Sequence, residues 1–475
     1  MGGVCSVRRG PETLMRPRIM GEEIGESHDA FSGWDEHAPI FTVGDRQTGA
    51  AGNPSVWPPA ATQHHIRLYD TDNFVLSPDG SLKSPMSLLN LCVRFICKNL
   101  PQFEGFPSLF PQEVVDKLLA SLTKQNAISV PALHAFKSCE VTRLSLEGCR
   151  GVHNWWLSPL LQGTPLGKCL VHLNLSGCSS LSDSGMGGAL GSLPCLHCVS
   201  LRGCRGLGEE SVMALVEGSP KVVSLILSHC PCMGDRAVHA LAGMEGLQSL
   251  EVEGCEGVTD VGLAHAAELP SLTKLNVSRC HQITPQGLPS LSLAQGLKQL
   301  NLGWCGHLVA GAETAEEEEE GEEAQDLQGG WMLPNLPQLE RLCLARCGVT
   351  SEGLAALGRD SQGLREVSIS GCPLVDEESL VELLGLAKGL TSLDISNCSQ
   401  ISEFMIPMEP LMLTTLNLGS TGVTDTQVDR ITRTARGLTS LNLDSCEVGD
   451  LGVRSLSRLT QLKVRAQRIT PSLMA

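Results

Sequence analysis

Leu275-Asn276-Val277-Ser278-Arg279-Cys280 and Leu300-Asn301-Leu302-Gly303-Trp304-Cys305 stand 25 residues apart and share the phrase L-x-L-x-x-C. The phrase recurs outward in both directions, ending on Cys149, Cys178, Cys204, Cys230, Cys255, Cys280, Cys305, Cys347, Cys372, Cys398 and Cys446. Steps of 25 or 26 residues dominate, after a first step of 29. The 48-residue step before Cys446 divides into 23 and 25 at Leu416-Asn417-Leu418-Gly419-Ser420-Thr421, where a threonine stands for the cysteine. That makes twelve copies. The L-x-L part alternates with period two, as a short strand with one buried face does. The cysteine follows at the turn out of the strand, where a small hydrophobe with a weak donor suits a tight buried corner.

A fixed period of twenty to thirty residues with this phrase is that of a leucine-rich repeat. The expected fold is therefore α/β: a leucine-rich repeat solenoid of about 12–13 repeats, curved as a horseshoe and running over 139–475. After each turn comes a segment such as Val258-Thr259-Asp260-Val261-Gly262-Leu263. Its Thr-Asp reads as a helix N-cap and the apolar residues that follow as the helix's inner face. A weaker unit, Leu462 to Thr470, is expected to close the C-terminal end. Strands stacked at roughly 4.8 Å predict an arc on the order of 50–60 Å long. Its outward positions, the candidate substrate surface, include Arg143, Asn174, Glu251, Asn276, Asn301, Asp394 and Asn442. Trp304 joins them as a candidate anchor. The 42-residue step from Cys305 to Cys347 hides an insertion near 309–330 with the run Glu313 to Asp326. A block of like charge repels itself and is expected to stay solvated.

Composition removes several classes of function. The 475-residue chain carries 35 Lys and Arg against 52 Asp and Glu, a net charge of −17, which argues against a nucleic-acid footprint. No apolar run is long enough for a transmembrane helix, and the start lacks a secretory signal, so a cytoplasmic location is expected. There the 20 cysteines should remain thiols. Cys195-Leu-His-Cys198 has no second ligand pair to make a zinc site. No hydrolase, P-loop or dinucleotide motif is present, so neither an enzyme nor a cofactor is expected. Residues 1–80 read as a disordered tail. Its first residues, Met1-Gly2-Gly3-Val4-Cys5-Ser6, fit the myristoylation pattern M-G-x-x-x-[ST] on Gly2. Palmitate on Cys5 and four nearby arginines would supply the second signal that a stable anchor to a membrane surface needs.

The segment 81–138 lies between tail and repeats. Its first helix is expected from Ser87 to Asn99, with Leu88, Leu91, Cys92, Phe95 and Ile96 at helical spacing. A second begins near Pro111, a favoured first-turn residue, and presents Val114, Val115, Leu118, Leu119 and Leu122. One role for the pair is to cap the open end of the solenoid. Ser87-Leu88-x-x-x-Cys92-x-x-x-Ile96 also resembles an elongin C-binding box. Phe110-Pro111-x-x-Val114-x-x-x-Leu118 resembles the cullin box that follows it. Together they look like the start of the Zyg-eleven and Zer-one receptors of cullin-RING ubiquitin ligases, which carry leucine-rich repeats after the box. The armadillo-like domain of those receptors is not expected here, since the repeats run to the last residues of the sequence. Their specificity for substrate N-termini is therefore not carried over. The resemblance implies elongin C and a cullin as partners, with Leu88, Cys92 and Ile96 facing the adaptor. Leu109 to Val115 with Leu118, Leu119 and Leu122 also resembles a degenerate F-box, which implies a Skp-type adaptor instead. A lipid-anchored repeat scaffold that binds neither adaptor is the alternative from another class.

Overall fold

A computed structural model describes residues 87–465 apart from 104, 126, 150, 309–332 and 402–409. All belong to the second of the two units into which the chain divides, Arg46–Ala475. The tail with Gly2 and Cys5, and the acidic insertion, lie outside the described residues.

Among the described residues, thirteen strands of three residues each form one sheet. They are β1 Arg143–Ser145, β2 His172–Asn174, β3 Cys198–Ser200, β4 Ser224–Ile226, β5 Ser249–Glu251, β6 Lys274–Asn276 and β7 Gln299–Asn301. β8 Arg341–Cys343, β9 Glu366–Ser368, β10 Ser392–Asp394, β11 Thr415–Asn417, β12 Ser440–Asn442 and β13 Lys463–Arg465 complete it. Their order in the sheet is their order in the chain, and each described pair is parallel. The first leucine or valine of each phrase is the middle strand residue and lies in register with its counterparts, as Leu275 does with Leu250 and Leu300. All of them point inward: Leu144, Leu225, Leu300, Val367 and Leu441 are each buried. The weak last unit supplies β13, paired with β12.

The cysteine does more than fill the corner. Cys280 Sγ donates to the Val252 carbonyl at 3.2 Å, Cys305 to Val277 at 3.4 Å and Cys372 to Leu344 at 3.2 Å, each in the preceding repeat. The same bond joins Cys178, Cys204, Cys230, Cys255, Cys347, Cys398 and Cys446 to the repeat before. A donor must keep its proton, and burial ensures this by pushing the Cys255, Cys280 and Cys305 thiols up to about 12. Thr421 instead turns its hydroxyl to Leu418 of its own repeat. The cysteines of the described residues are all free.

The expected N-cap is present at Thr259, whose hydroxyl accepts the Val261 N–H at 3.2 Å. The aspartates that follow such caps reach further. Asp235 Oδ1 accepts the Thr259 N–H at 2.8 Å, and Asp260 Oδ1 the Thr284 N–H at 2.8 Å, both one repeat onward. Asp183 likewise accepts from Gly208 and Ser211. Sequence offers the residue type but not which of two adjacent helix starts it reaches. Between β6 and β7 the expected α-helix is a 3₁₀-helix, Leu288–Leu293. Pro285 and Pro289 there remove the backbone donors an α-helix would use.

The N-terminal end is sealed by helices α1 (Leu88–Asn99), α2 (Gln112–Lys124) and α3 (Val130–His134). Val115, Leu118, Leu119 and Leu122 of α2 are buried against the first repeat. Phe106 stacks on Phe110 with ring centres 4.6 Å apart and meets the buried Phe136 at 4.9 Å. β1 is an edge strand, whose free backbone groups invite unwanted pairing. Gln112 satisfies them. Its Oε1 accepts the Thr142 N–H at 2.8 Å and the Arg143 N–H at 3.3 Å, while Nε2 donates to the Arg143 carbonyl at 3.0 Å.

Candidate functional site

Helix α1 opens on Ser87, whose hydroxyl accepts the Asn90 N–H at 3.3 Å, a standard N-cap contact. Leu89, Ile96 and Cys97 are half-buried against the cap core, and Val93 and Leu100 fully so. The opposite face is also apolar. Leu88 is 77% exposed and Phe95 56%, with Leu91 and Cys92 exposed between them. These four sit at i, i+3, i+4 and i+7, one continuous stripe on the helix surface. A lone exposed leucine is ordinary. A four-residue stripe on one helix is a contiguous exposed apolar patch.

The structure divides the residues of the two box-like motifs. Leu88 and Cys92 lie on the exposed stripe, whereas Ile96 is half-buried on the inner side. Leu91 and Phe95, which the motif leaves unspecified, complete the outer face. In the second motif Leu118 is fully buried, Phe110 and Val114 pack partly against the core, and Pro111 is exposed as the residue that precedes α2. Leu109, just before it, is 84% exposed.

The size of the α1 stripe limits what it can do alone. Burying a Leu or Phe side chain yields about 1.5–3 kcal/mol, so the three large residues offer roughly 5–9 kcal/mol. Association consumes at least about 4 kcal/mol of that. A partner held only by α1 would bind weakly, and a tight complex needs a second contact such as Leu109.

The outward strand residues serve the fold as well as the surface. Asn276 Oδ1 accepts both the N–H and the O–H of Ser278, at 3.0 and 2.7 Å, and Asn174 does the same with Ser176. Asp394 binds Ser396 identically. Asn301 and Asn442 accept the Gly303 and Asp444 N–H groups at 2.9 Å. Each bond closes an Asx turn that carries the chain out of its strand. Asn276 and Asp394 are buried, and burial raises the Asp394 carboxyl above its ordinary value. Glu251 is buried too, with Lys274 Nζ 2.5 Å from its carboxylate. Arg143 remains exposed.

The turns end in a shared backbone state. In all twelve phrases the residue before the cysteine (Thr421 in one) has φ between 57° and 74°. Five are glycines, and seven are not: His229, Arg279, Trp304, Arg346, Asn397, Ser420 and Ser445. Trp304, half-buried, lies between two guanidiniums, with Arg279 4.9 Å and Arg346 4.2 Å from its ring centre.

The Leucine Rich repeat family profile matches residues 268–292 and 436–457, two stretches that hold the same unit seen throughout the sheet. The fold is a leucine-rich repeat solenoid. Among solved structures, the repeat protein is similar to the Rad7 and Elc1 complex of yeast, at 18% identity over 80% of this chain and 98% of that one, with a TM-score of 0.41. It is similar to an internalin, InlF, of Listeria monocytogenes, at 16% identity over 78% and 93%, with a TM-score of 0.43. The leucine-rich repeat domain of APL1 shares 15% identity over 72% and 75%, with a TM-score of 0.38. Among the described residues, no group of three or more His, Cys, Asp or Glu is placed to hold a metal, and no helix is long and apolar enough to cross a membrane.

Proposed function

We propose that this leucine-rich repeat protein, a protein-binding scaffold in its general character, is the substrate receptor of a cullin-RING ubiquitin ligase. Helix α1 docks an elongin C-type adaptor, and the repeat array holds the protein to be modified. The observation that carries this reading is the stripe of Leu88, Leu91, Cys92 and Phe95, left in solvent by the first helix before the repeats. It supplies a helix-in-groove anchor. The receptor itself performs no covalent step. It raises the local concentration of a substrate lysine beside a conjugating enzyme, so its contribution is proximity. A Skp-type adaptor is the second reading, favoured by the exposed Leu109 at the head of α2. The inward direction of Leu118, Leu119 and Leu122 leaves that segment little apolar surface to offer, which favours α1. Myristate on Gly2 with palmitate on Cys5 is the proposed membrane tether.

The test is capture of purified elongin C by the full chain, compared with Leu88→Asp/Phe95→Asp. The expected result is capture by the parent and none by the variant, with both melting alike. Equal capture by the variant excludes α1. Capture of a Skp-type adaptor instead of elongin C moves the contact to Leu109.

A further inference from the structure

The residues at the exits of the middle strands form a basic ridge. The left-handed backbone there favours glycine, and a side chain of ordinary type costs on the order of 1–3 kcal/mol. Asparagine tolerates the state, which accounts for Asn397. Arginine and tryptophan have no such local advantage. Yet three consecutive repeats place Arg279, Trp304 and Arg346 at this position, with φ of 60°, 64° and 57°. Flanking glycines make room for the long side chains beside them. A Cβ on Gly371 would come 3.0 Å from Arg346 Cγ, and one on Gly254 would come 2.5 Å from the His229 ring. Bulk is concentrated where the backbone least favours it.

Charge is concentrated there as well. Arg202, Arg279 and Arg346 lie along this rim with one acid, Glu253. Glu253 is shared among Arg202 at 3.8 Å, Arg279 at 3.6 Å and His229 at 3.6 Å, all loose contacts. Arg346 is exposed and forms no ion pair with an acid among the described residues. The neighbouring sheet face is balanced by contrast, since Lys274 pairs with Glu251 and Arg341 with Glu366. The ridge is thus a positive spot on a chain of net charge −17. The contact with Trp304 restrains both guanidiniums; Arg279 shares Glu253 at 3.6 Å, while Arg346 keeps its N–H groups for an outside acceptor.

We propose that the Arg279–Trp304–Arg346 ridge binds an extended acidic segment of a partner protein through two of its carboxylates. On the receptor reading, on which the word substrate rests, this segment belongs to the substrate. The two guanidinium carbons lie within about 9 Å of each other, because each is held to the same ring. Side chains two apart on an extended chain leave one face about 6.6 Å apart, which lies within this limit. The restrained forks suit carboxylates, and the Trp304 edge offers apolar contact between them.

The probe is a fluorescein-labelled peptide, Gly-Ser-Glu-Ser-Glu-Ser-Gly, titrated with the full chain by fluorescence anisotropy. The Glu→Gln peptide and a single-stranded DNA oligonucleotide are run beside it. Binding of the acidic peptide alone is expected, weakening about tenfold in Arg346→Gln and at least threefold between 50 and 200 mM salt. Trp304→Gly is the folding control, because glycine suits the left-handed turn. It should melt no lower than the parent and still lose at least threefold in affinity. Equal binding of the Gln peptide, equal binding of DNA, or unchanged affinity in Arg346→Gln would overturn the proposal. The elongin C capture is independent. Capture without peptide binding removes the ridge and leaves the receptor, whereas peptide binding without capture leaves the ridge on a scaffold.

Discussion

Helices α1 and α2 lie side by side at one end of the array and are both amphipathic, but they spend their apolar residues differently. α2 turns Val115, Leu118, Leu119 and Leu122 into the interior and its Gln112 onto the edge of β1. α1 turns Val93 inward and leaves Leu88, Leu91 and Phe95 outside. The larger share of sealing the solenoid therefore falls to α2. The outer residues of α1 contribute little to folding. Amphipathic pattern alone would have assigned both helices the same task.

Several changes would break or sharpen this division. The largest sets the array against both helices. The array's buried thiols have ordinary values near 9 when unfolded and are raised to about 12 in place, as at Cys178, Cys204, Cys255, Cys280 and Cys305. A raised value favours the protonated, folded form. The stability it gives is whole below pH 9 and is lost as pH climbs toward 12. Each such thiol costs about 1.4 kcal/mol per pH unit in that window. Denaturant melts should therefore collapse between pH 9 and 11, well before the lysines titrate fully. A flat profile to pH 11 would contradict the burial of the ladder.

Leu118→Ala comes next. It empties a fully buried site in α2 and should cost about 2–5 kcal/mol by urea titration. Gln112→Ala should cost about 1–2 kcal/mol by leaving the β1 edge unpaired, and hydrogen exchange should quicken at Thr142 and Arg143 before anywhere else in the sheet. Leu88→Asp stands at the other extreme, within about 0.5 kcal/mol of the parent. A loss above 1 kcal/mol there would mean that α1 seals the end as α2 does. The same contrast holds for thiol chemistry. Iodoacetamide should label the exposed Cys92 and Cys232 in the folded chain, while Cys280 and its counterparts react only after unfolding.

Much of this was legible in the residues. The period of the cysteines located the strands, and the alternation named the inward leucines, down to the weak last unit that provides β13. Ser87 and Pro111 marked the starts of α1 and α2 to within a residue. What escaped was direction and reach. Leu91, Phe95 and Ile96 are alike in hydropathy, and only the packing of α1 decides that Ile96 turns in while the other two turn out. The outward asparagines looked like free recognition groups because the pattern shows which face they take. It does not show the N–H two residues on that each of them binds. Asp235 and Asp260 reach across to the next repeat, a contact some 24 residues away in sequence that no local signal encodes. The left-handed turn was hidden because glycine fills fewer than half of its twelve positions.

The strictly sequential order of the strands also fixes how the molecule yields to force. β1 and β13 are the two edges of a sheet in which each strand touches only the one before and the one after. Tension applied at the ends of the array loads the outermost rung alone and peels it away, thiol and carbonyl together, before the next one feels the pull. Each rung of 25 residues would release about 80–90 Å of slack. The array would lengthen as a sawtooth of small, repeated yields, and a pull on one end could open part of it while the remainder stays folded.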